Sequence, residues 1–244
     1  LYPYASVYLG PEGMIGGEAR DRVAGFWRAL SLSPPVEADH LTPLLGLYAA
    51  LAEDGSERAG HARKALLWEH LLSWLPPYLD AVHLSPCAFP QAWAGLLGEV
   101  LVAEAEAFGP PAAVPLALRH SDPLPDPRQA GGGPFLAGLL APARCGMILV
   151  RDDLVHAAAD LGLGLRRAER RYALEGLLGQ DPEGMLRWLA SHARDWGARH
   201  RDRPRVLQST SAIWGDRAAA AAALLADLRG GLKASAGAAG VGPS

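Results

Sequence analysis

Apolar residues recur along this chain at three- and four-residue spacing, the period of an α-helix that buries one face. Residues 18–30 place Val23, Phe26, Trp27 and Leu30 on one side, and residues 41–52 do the same with Leu44, Leu45, Tyr48 and Leu51. Residues 61–82 align Leu67, His70, Leu71, Trp74, Tyr78 and Val82. Pro76-Pro77 is expected to end this helix early or kink it, because proline lacks a donor and restricts the residue before it. Residues 92–108 are predicted to turn Trp93, Leu96, Leu97, Val100 and Leu101 inward.

The pattern then breaks. Residues 110–134 hold seven prolines and the run Gly131-Gly132-Gly133, which predicts a long connection, either a functional loop or a disordered linker, and a possible sub-boundary. Helical signals resume at 152–161 and 166–178, separated by Gly162-Leu163-Gly164. Asp181-Pro182-Glu183 is a helix start, with a capping carboxylate, a first-turn proline and an acid at the positive end. That helix runs to about Trp196, and a last one covers 205–228. No repeat of fixed period is present. The expected architecture is one irregular helical bundle over residues 1–230 with a disordered tail at 231–244.

Composition sharpens this to an all-α fold. Alanine and leucine supply 85 residues, isoleucine and valine only 14, and strands draw on the β-branched types. A net charge of −3 with a pI near 6.3 gives no footprint of a general nucleic-acid binder. Two cysteines without CxxC spacing suit a reducing cytoplasm better than a disulfide scaffold. The first residues carry no basic region followed by an apolar run, so no secretory leader is visible. No apolar stretch approaches the ~20 residues that cross a bilayer, and a soluble protein is expected.

Two segments place ionisable side chains inside apolar helical pattern: Asp39-His40-Leu41 and His70-Leu71-Leu72-Ser73-Trp74. An unpaired polar group costs ~1–3 kcal/mol in a core, so these residues point to a site or to braced helix ends. Asp39, His40, Glu69 and His70 are suitable metal-ligand types and give one alternative, a metal-dependent hydrolase. HExxH and ExxH pairs are absent, however, and His61 and His83 fall at unhelpful offsets. No G-x-S-x-G elbow, activated cysteine or phosphate-cradling glycine loop occurs. The other alternative is a helix-turn-helix DNA-binding regulator at 152–178, with Arg166, Arg167, Arg170 and Arg171 along its second helix, against a plainly solvated basic face. The tryptophan and leucine stripes fit a core or a groove for a partner helix.

The order of the signals adds more. Pro35-Val36-Glu37-Ala38-Asp39-His40-Leu41 is followed by a leucine-rich helix and then by Trp68-Glu69-His70-Leu71-Leu72-Ser73-Trp74-Leu75-Pro76. With Gln91-Ala92-Trp93-Ala94 and Asp181-Pro182 leading into Leu186-Arg187-Trp188-Leu189, the chain resembles the TorD/DmsD/NarJ family of molybdoenzyme maturation chaperones, over roughly residues 18–228. The family's Glu-Pro-x-Asp-His motif falls on residues 36–40; Asp39 and His40 match, while Val36 and Glu37 replace its Glu and Pro. The His-Leu-x-x-Trp element is intact at His70, Leu71 and Trp74.

The resemblance implies a cytoplasmic, all-α, non-catalytic chaperone without a metal site. Such proteins bind the twin-arginine leader or the apo form of a molybdopterin oxidoreductase's catalytic subunit and assist cofactor insertion. It also implies weak guanine-nucleotide binding in some members. The chain's own charge and hydropathy lead to the expectation of no nucleic-acid partner and no membrane insertion, and the long connection at 110–134 allows a domain-swapped dimer as well as a monomer. A leader presents two guanidiniums and then an apolar run. Under this resemblance Glu37, Asp39 and Glu69 meet the charges, Leu71, Trp74 and Tyr78 meet the apolar run, and His40 and His70 orient the helices.

Overall fold

In the computed structural model, which describes residues 1–11, 13–165 and 167–239, the chain is all-α. Among the described residues, extended pairing is confined to one antiparallel bridge between Tyr4 and His40. The first half comprises α1 (Ala5–Leu9), α2 (Gly17–Ala29), α3 (Leu41–Asp54), α4 (Glu57–Ala65), a π-helical turn (Leu66–Leu71), α5 (Leu75–His83) and α6 (Ala88–Phe108). The second comprises four short helices, α7 (Leu116–Arg119), α8 (Pro127–Ala130), α9 (Gly132–Leu139) and α10 (Pro142–Cys145). These precede α11 (Arg151–Leu161), α12 (Arg170–Gln180), α13 (Pro182–Arg201), a 3-10 turn (Arg205–Leu207) and α14 (Gln208–Ala239).

Local chemistry sets the boundaries. Asp181 starts α13, as the sequence predicts, by accepting the Gly184 N–H at 2.8 Å, and Ser56 starts α4 ahead of the expected residue 61 by accepting the Ala59 N–H at 3.2 Å. Pro76 and Pro77 occupy the first turn of α5, where their missing donors cost nothing, so the segment 61–82 is divided ahead of them. One core spans both halves, from Tyr8 and Leu44 through Trp74 to Leu174 and Leu225. The buried Trp214 of α14 ties them by donating its indole N–H to the Ser73 carbonyl at 3.1 Å.

Three expectations change. Residues 110–134 are a connection with short helices in it, anchored by buried Leu118 and Leu124; Pro115, Pro127 and Pro134 stand at the starts of α7, α8 and α9, where proline is tolerated, and its other prolines lie in the stretches between helices. On α6, Leu101 is buried as expected, but Leu96 is 64% and Val100 48% exposed. The helix carries apolar residues on both faces, and periodicity does not choose between them. Finally, α14 continues past Gly230 to Ala239, in keeping with the high helix propensity of its alanines. Residues 240–244 of the expected tail lie outside the described residues, as does Arg166 of the basic run.

Candidate functional site

The Asp39-His40 pair forms a corner between the start of the chain and α3. Residues 3–5 run antiparallel to 39–41, with Ala5 N–H donating to the Asp39 carbonyl at 3.0 Å and Leu41 N–H to that of Pro3 at 2.8 Å. The N-cap position of α1 is Tyr4, whose side chain supplies no cap. Asp39 fills that role from a distance: its Oδ2 accepts the Ser6 N–H at 3.0 Å, with the residue 1% exposed. His40 caps its own helix, its Nδ1 accepting from Thr42 N–H at 3.1 Å, so that nitrogen carries no proton. The Tyr4 ring meets the imidazole edge-on, centroids 4.7 Å apart. The exposed Glu37 accepts the Tyr4 hydroxyl at 2.7 Å, which raises the Tyr4 pKa.

The second element lies on the π-helical turn. Leu72 N–H reaches back five residues to the Leu67 carbonyl at 2.7 Å, and this wider turn frees carbonyls that side chains then satisfy. The Ser73 hydroxyl donates to the Glu69 carbonyl at 2.9 Å and the Trp74 indole N–H to that of His70 at 2.8 Å. The His-x-x-x-Trp spacing is thus the reach of an indole to a carbonyl one turn back. The Glu69 carboxylate extends the other way and accepts the first N–H of α7, from Leu116, at 2.8 Å. His70 packs on Phe26 of α2 at 4.9 Å. Burial, then the nearby Arg22 charge, pushes its pKa down to about 4.

Leu71 and Trp74 are fully buried and Tyr78 is 7% exposed. The apolar groove expected of these three is filled by the chain itself. Tyr8 of α1 stacks on Trp74 with centroids 5.3 Å apart and 16° between planes, and Tyr78 lies against both rings. Sequence reasoning missed Tyr8 because α1 is five residues long and carries no readable period. Tyr78 also borders a groove of about 340 Å³ with Val82 of α5 and Phe89 and Trp93 of α6. A second groove, about 230 Å³, lies between α5 and α6 beside Gly95 and Gly98. An Asp80–Arg203 ion pair of 2.5 Å stands at its wall.

The other arrangements considered from sequence are not assembled. Asp39 and Glu69 cap different helices, and among the described residues no group of three or more His, Cys, Asp or Glu is placed to hold a metal ion. In the basic run, α12 begins only at Arg170, whose guanidinium turns inward to the carbonyls of Leu149 (3.0 Å) and Leu140 (3.3 Å), while Arg171 is exposed. Among the described residues no helix is long and apolar enough to cross a membrane.

Residues 1–80 match the family described as nitrate reductase delta subunit. This stretch holds the Asp39-His40 corner and the His70-Leu71-x-x-Trp74 turn, and the match supports the resemblance to the NarJ/TorD-type chaperones. No curated protein and no solved structure matches the chain.

Proposed function

With residues 1–80 matching the nitrate reductase delta subunit family as the premise, we propose that the protein is a maturation chaperone for a molybdopterin oxidoreductase. It binds the N-terminal leader or the apo form of the client's catalytic subunit in the cytoplasm, before export or assembly, and catalyses nothing itself. The observation that carries this reading is that the matched third contains both motif elements, each engaged in building the fold.

In this reading Asp39, His40, Glu69, His70, Leu71 and Trp74 hold the frame. Asp39 and Glu69 tie α1 and α7 to it, and His70 and Trp74 brace the π turn. Tyr78 is the member that reaches a groove, and Glu37 is the exposed carboxylate. The protein acts by holding an apolar, cationic segment out of water and away from other partners.

The test is calorimetric titration of the protein with the twin-arginine leader of its molybdoenzyme, beside co-purification with the apo catalytic subunit. Micromolar leader binding or a stoichiometric apo complex is expected. Binding that survives Glu37→Gln with Glu69→Gln keeps the function and moves the charged contact elsewhere. Failure with both the leader and the apo subunit ends the chaperone reading.

A further inference from the structure

The apolar run of a leader needs an apolar surface, and Leu71 and Trp74 supply none because both are fully buried, Trp74 beneath the Tyr8 ring. One such surface lies on α6. Along α6 the side chains of Phe89, Leu96 and Val100 are 80%, 64% and 48% exposed, and Trp93 is partly exposed between them. Positions 89, 93, 96 and 100 repeat at 4-3-4 spacing, which sets them in one line on a helix. The strip is ~16 Å long at 1.5 Å per residue. That is the length of about eleven helical residues, within the ~7–15 of a leader's apolar region. At its start it merges, through Phe89 and Trp93, with the groove that Tyr78 borders.

Charge selects the occupant. α6 contains Glu99, Glu104 and Glu106 and no Lys, Arg or His. Glu104 is held by Arg63 and Tyr48. Glu99 and Glu106 are exposed, Glu99 beside the strip and Glu106 two helical turns further on, past its end at Val100, and neither makes a hydrogen bond or ion pair among the described residues. By contrast Glu37, Asp39 and Glu69 are each engaged, with Tyr4, Ser6 and Leu116. A second copy packed α6 to α6 would bring like carboxylates together with no cation on either helix, which is unfavourable. A partner that is apolar along one face and positively charged at its edge satisfies both features.

We propose that this face of α6 is the docking strip for the client's leader, the apolar run lying along Phe89, Trp93, Leu96 and Val100 and positive charges meeting Glu99 and Glu106. The assignment rests on the chaperone reading and adds its binding surface. It is tested with a fluorescent synthetic peptide of Arg-Arg followed by about twelve Leu and Ala residues, against the same peptide beginning Glu-Glu. The full chain is compared with two surface variants, Leu96→Glu/Val100→Glu and Glu99→Lys/Glu106→Lys, each checked by circular dichroism.

The wild type binds the Arg-Arg probe more tightly than the Glu-Glu probe. Leu96→Glu/Val100→Glu weakens this by roughly tenfold or more, and Glu99→Lys/Glu106→Lys reverses the preference between probes. A wild type that binds while both variants bind equally well overturns the strip and leaves the chaperone reading standing. A wild type that binds neither probe nor the natural leader overturns leader binding and the strip together. A wild-type dimer in sedimentation that Leu96→Glu/Val100→Glu dissociates, with probe binding unchanged, overturns the strip in favour of a self-interface.

Discussion

The carboxylate of Asp39 accepts the backbone N–H of Ser6 at 3.0 Å across 33 positions of sequence, so the cap of α1 is supplied by the loop that starts α3. A carboxylate capping from outside its own helix satisfies an orphan donor and complements the positive helix end, as a local cap does. It also locks two segments together. Asp39→Ala is expected to lower unfolding free energy by about 1–3 kcal/mol. Asp39→Asn, which keeps an acceptor oxygen, should cost less. Urea unfolding of the two variants checks this; equal losses would show that charge, and not the cap geometry, carries the effect.

His70 predicts a pH dependence with a definite sign. Its folded pKa, about 4, lies below the ordinary 6.5 because burial disfavours the imidazolium. Above 6.5 the ring is neutral in folded and unfolded chains alike and adds no slope. Between 6.5 and 4 the unfolded chain takes up a proton and the folded chain does not, so stability falls as the pH drops. Below 4 both are protonated and the loss is complete, at about 3 kcal/mol. His200, pushed down to about 3 by burial, extends the slope to lower pH. In His70→Gln the urea midpoint should change less between pH 7 and pH 4.5 than in the wild type; an unchanged difference would mean that the ring is solvated.

The same residues show how far sequence reached. The alanine and leucine bias predicts the all-α class, and Asp181-Pro182 marks a helix start, because both signals are local. Asp39, Glu69 and His70 stand out as polar groups in apolar pattern, but their tasks depend on Ser6, Leu116 and Phe26, which are 33, 47 and 44 positions away. Nothing at short range encodes those pairings. The inner and outer faces of α6 were exchanged in part for a related reason. Trp93, Leu96 and Val100 are as apolar as Leu97 and Leu101, and period alone does not say which row meets the core.

Tyr8 and Trp74 should behave as one unit. Stacked with centroids 5.3 Å apart, they join α1 to the turn before α5. Trp74→Ala removes a fully buried indole and its bond to the His70 carbonyl, at an expected cost of about 3–5 kcal/mol. A double-mutant cycle with Tyr8→Leu should return a coupling of about 0.5–1.5 kcal/mol. Strict additivity of the two changes would contradict the stacking.

The arginines of α12 should separate by role. Arg170 gives two hydrogen bonds to carbonyls of the segment joining α9 to α11, whereas Arg171 is exposed. Arg170→Ala is expected to cost about 1.5–3 kcal/mol, and Arg171→Ala to stay within about 0.5 kcal/mol. Retention on duplex DNA at low salt should be unaffected by either change. Loss of retention in Arg171→Ala would restore the DNA-binding alternative.

Gly146 makes the sharpest packing prediction. It ends α10 with φ at +69°, a conformation that a side chain resists. A Cβ there would lie 2.2 Å from Ala218 N and 2.4 Å from the Trp214 carbonyl oxygen, both in the backbone of α14. A helix backbone does not yield as a flexible side-chain end does. On the other side the Gly146 carbonyl is held by the buried His200 Nε2 at 2.8 Å, and a carbonyl oxygen only accepts, so the proton sits on that nitrogen. The turn is therefore clamped between α13 and α14, and moving it to admit a methyl group breaks the His200 bond. Gly146→Ala should cost at least about 3 kcal/mol, more than either strain or overpacking alone. The same change at Gly55, whose φ is +67° but whose nearest neighbour stands 4.0 Å off, carries the strain without the clash and should cost about 1 kcal/mol. Thermal unfolding of the pair separates the two contributions. Equal losses would mean that α14 does not press on the turn.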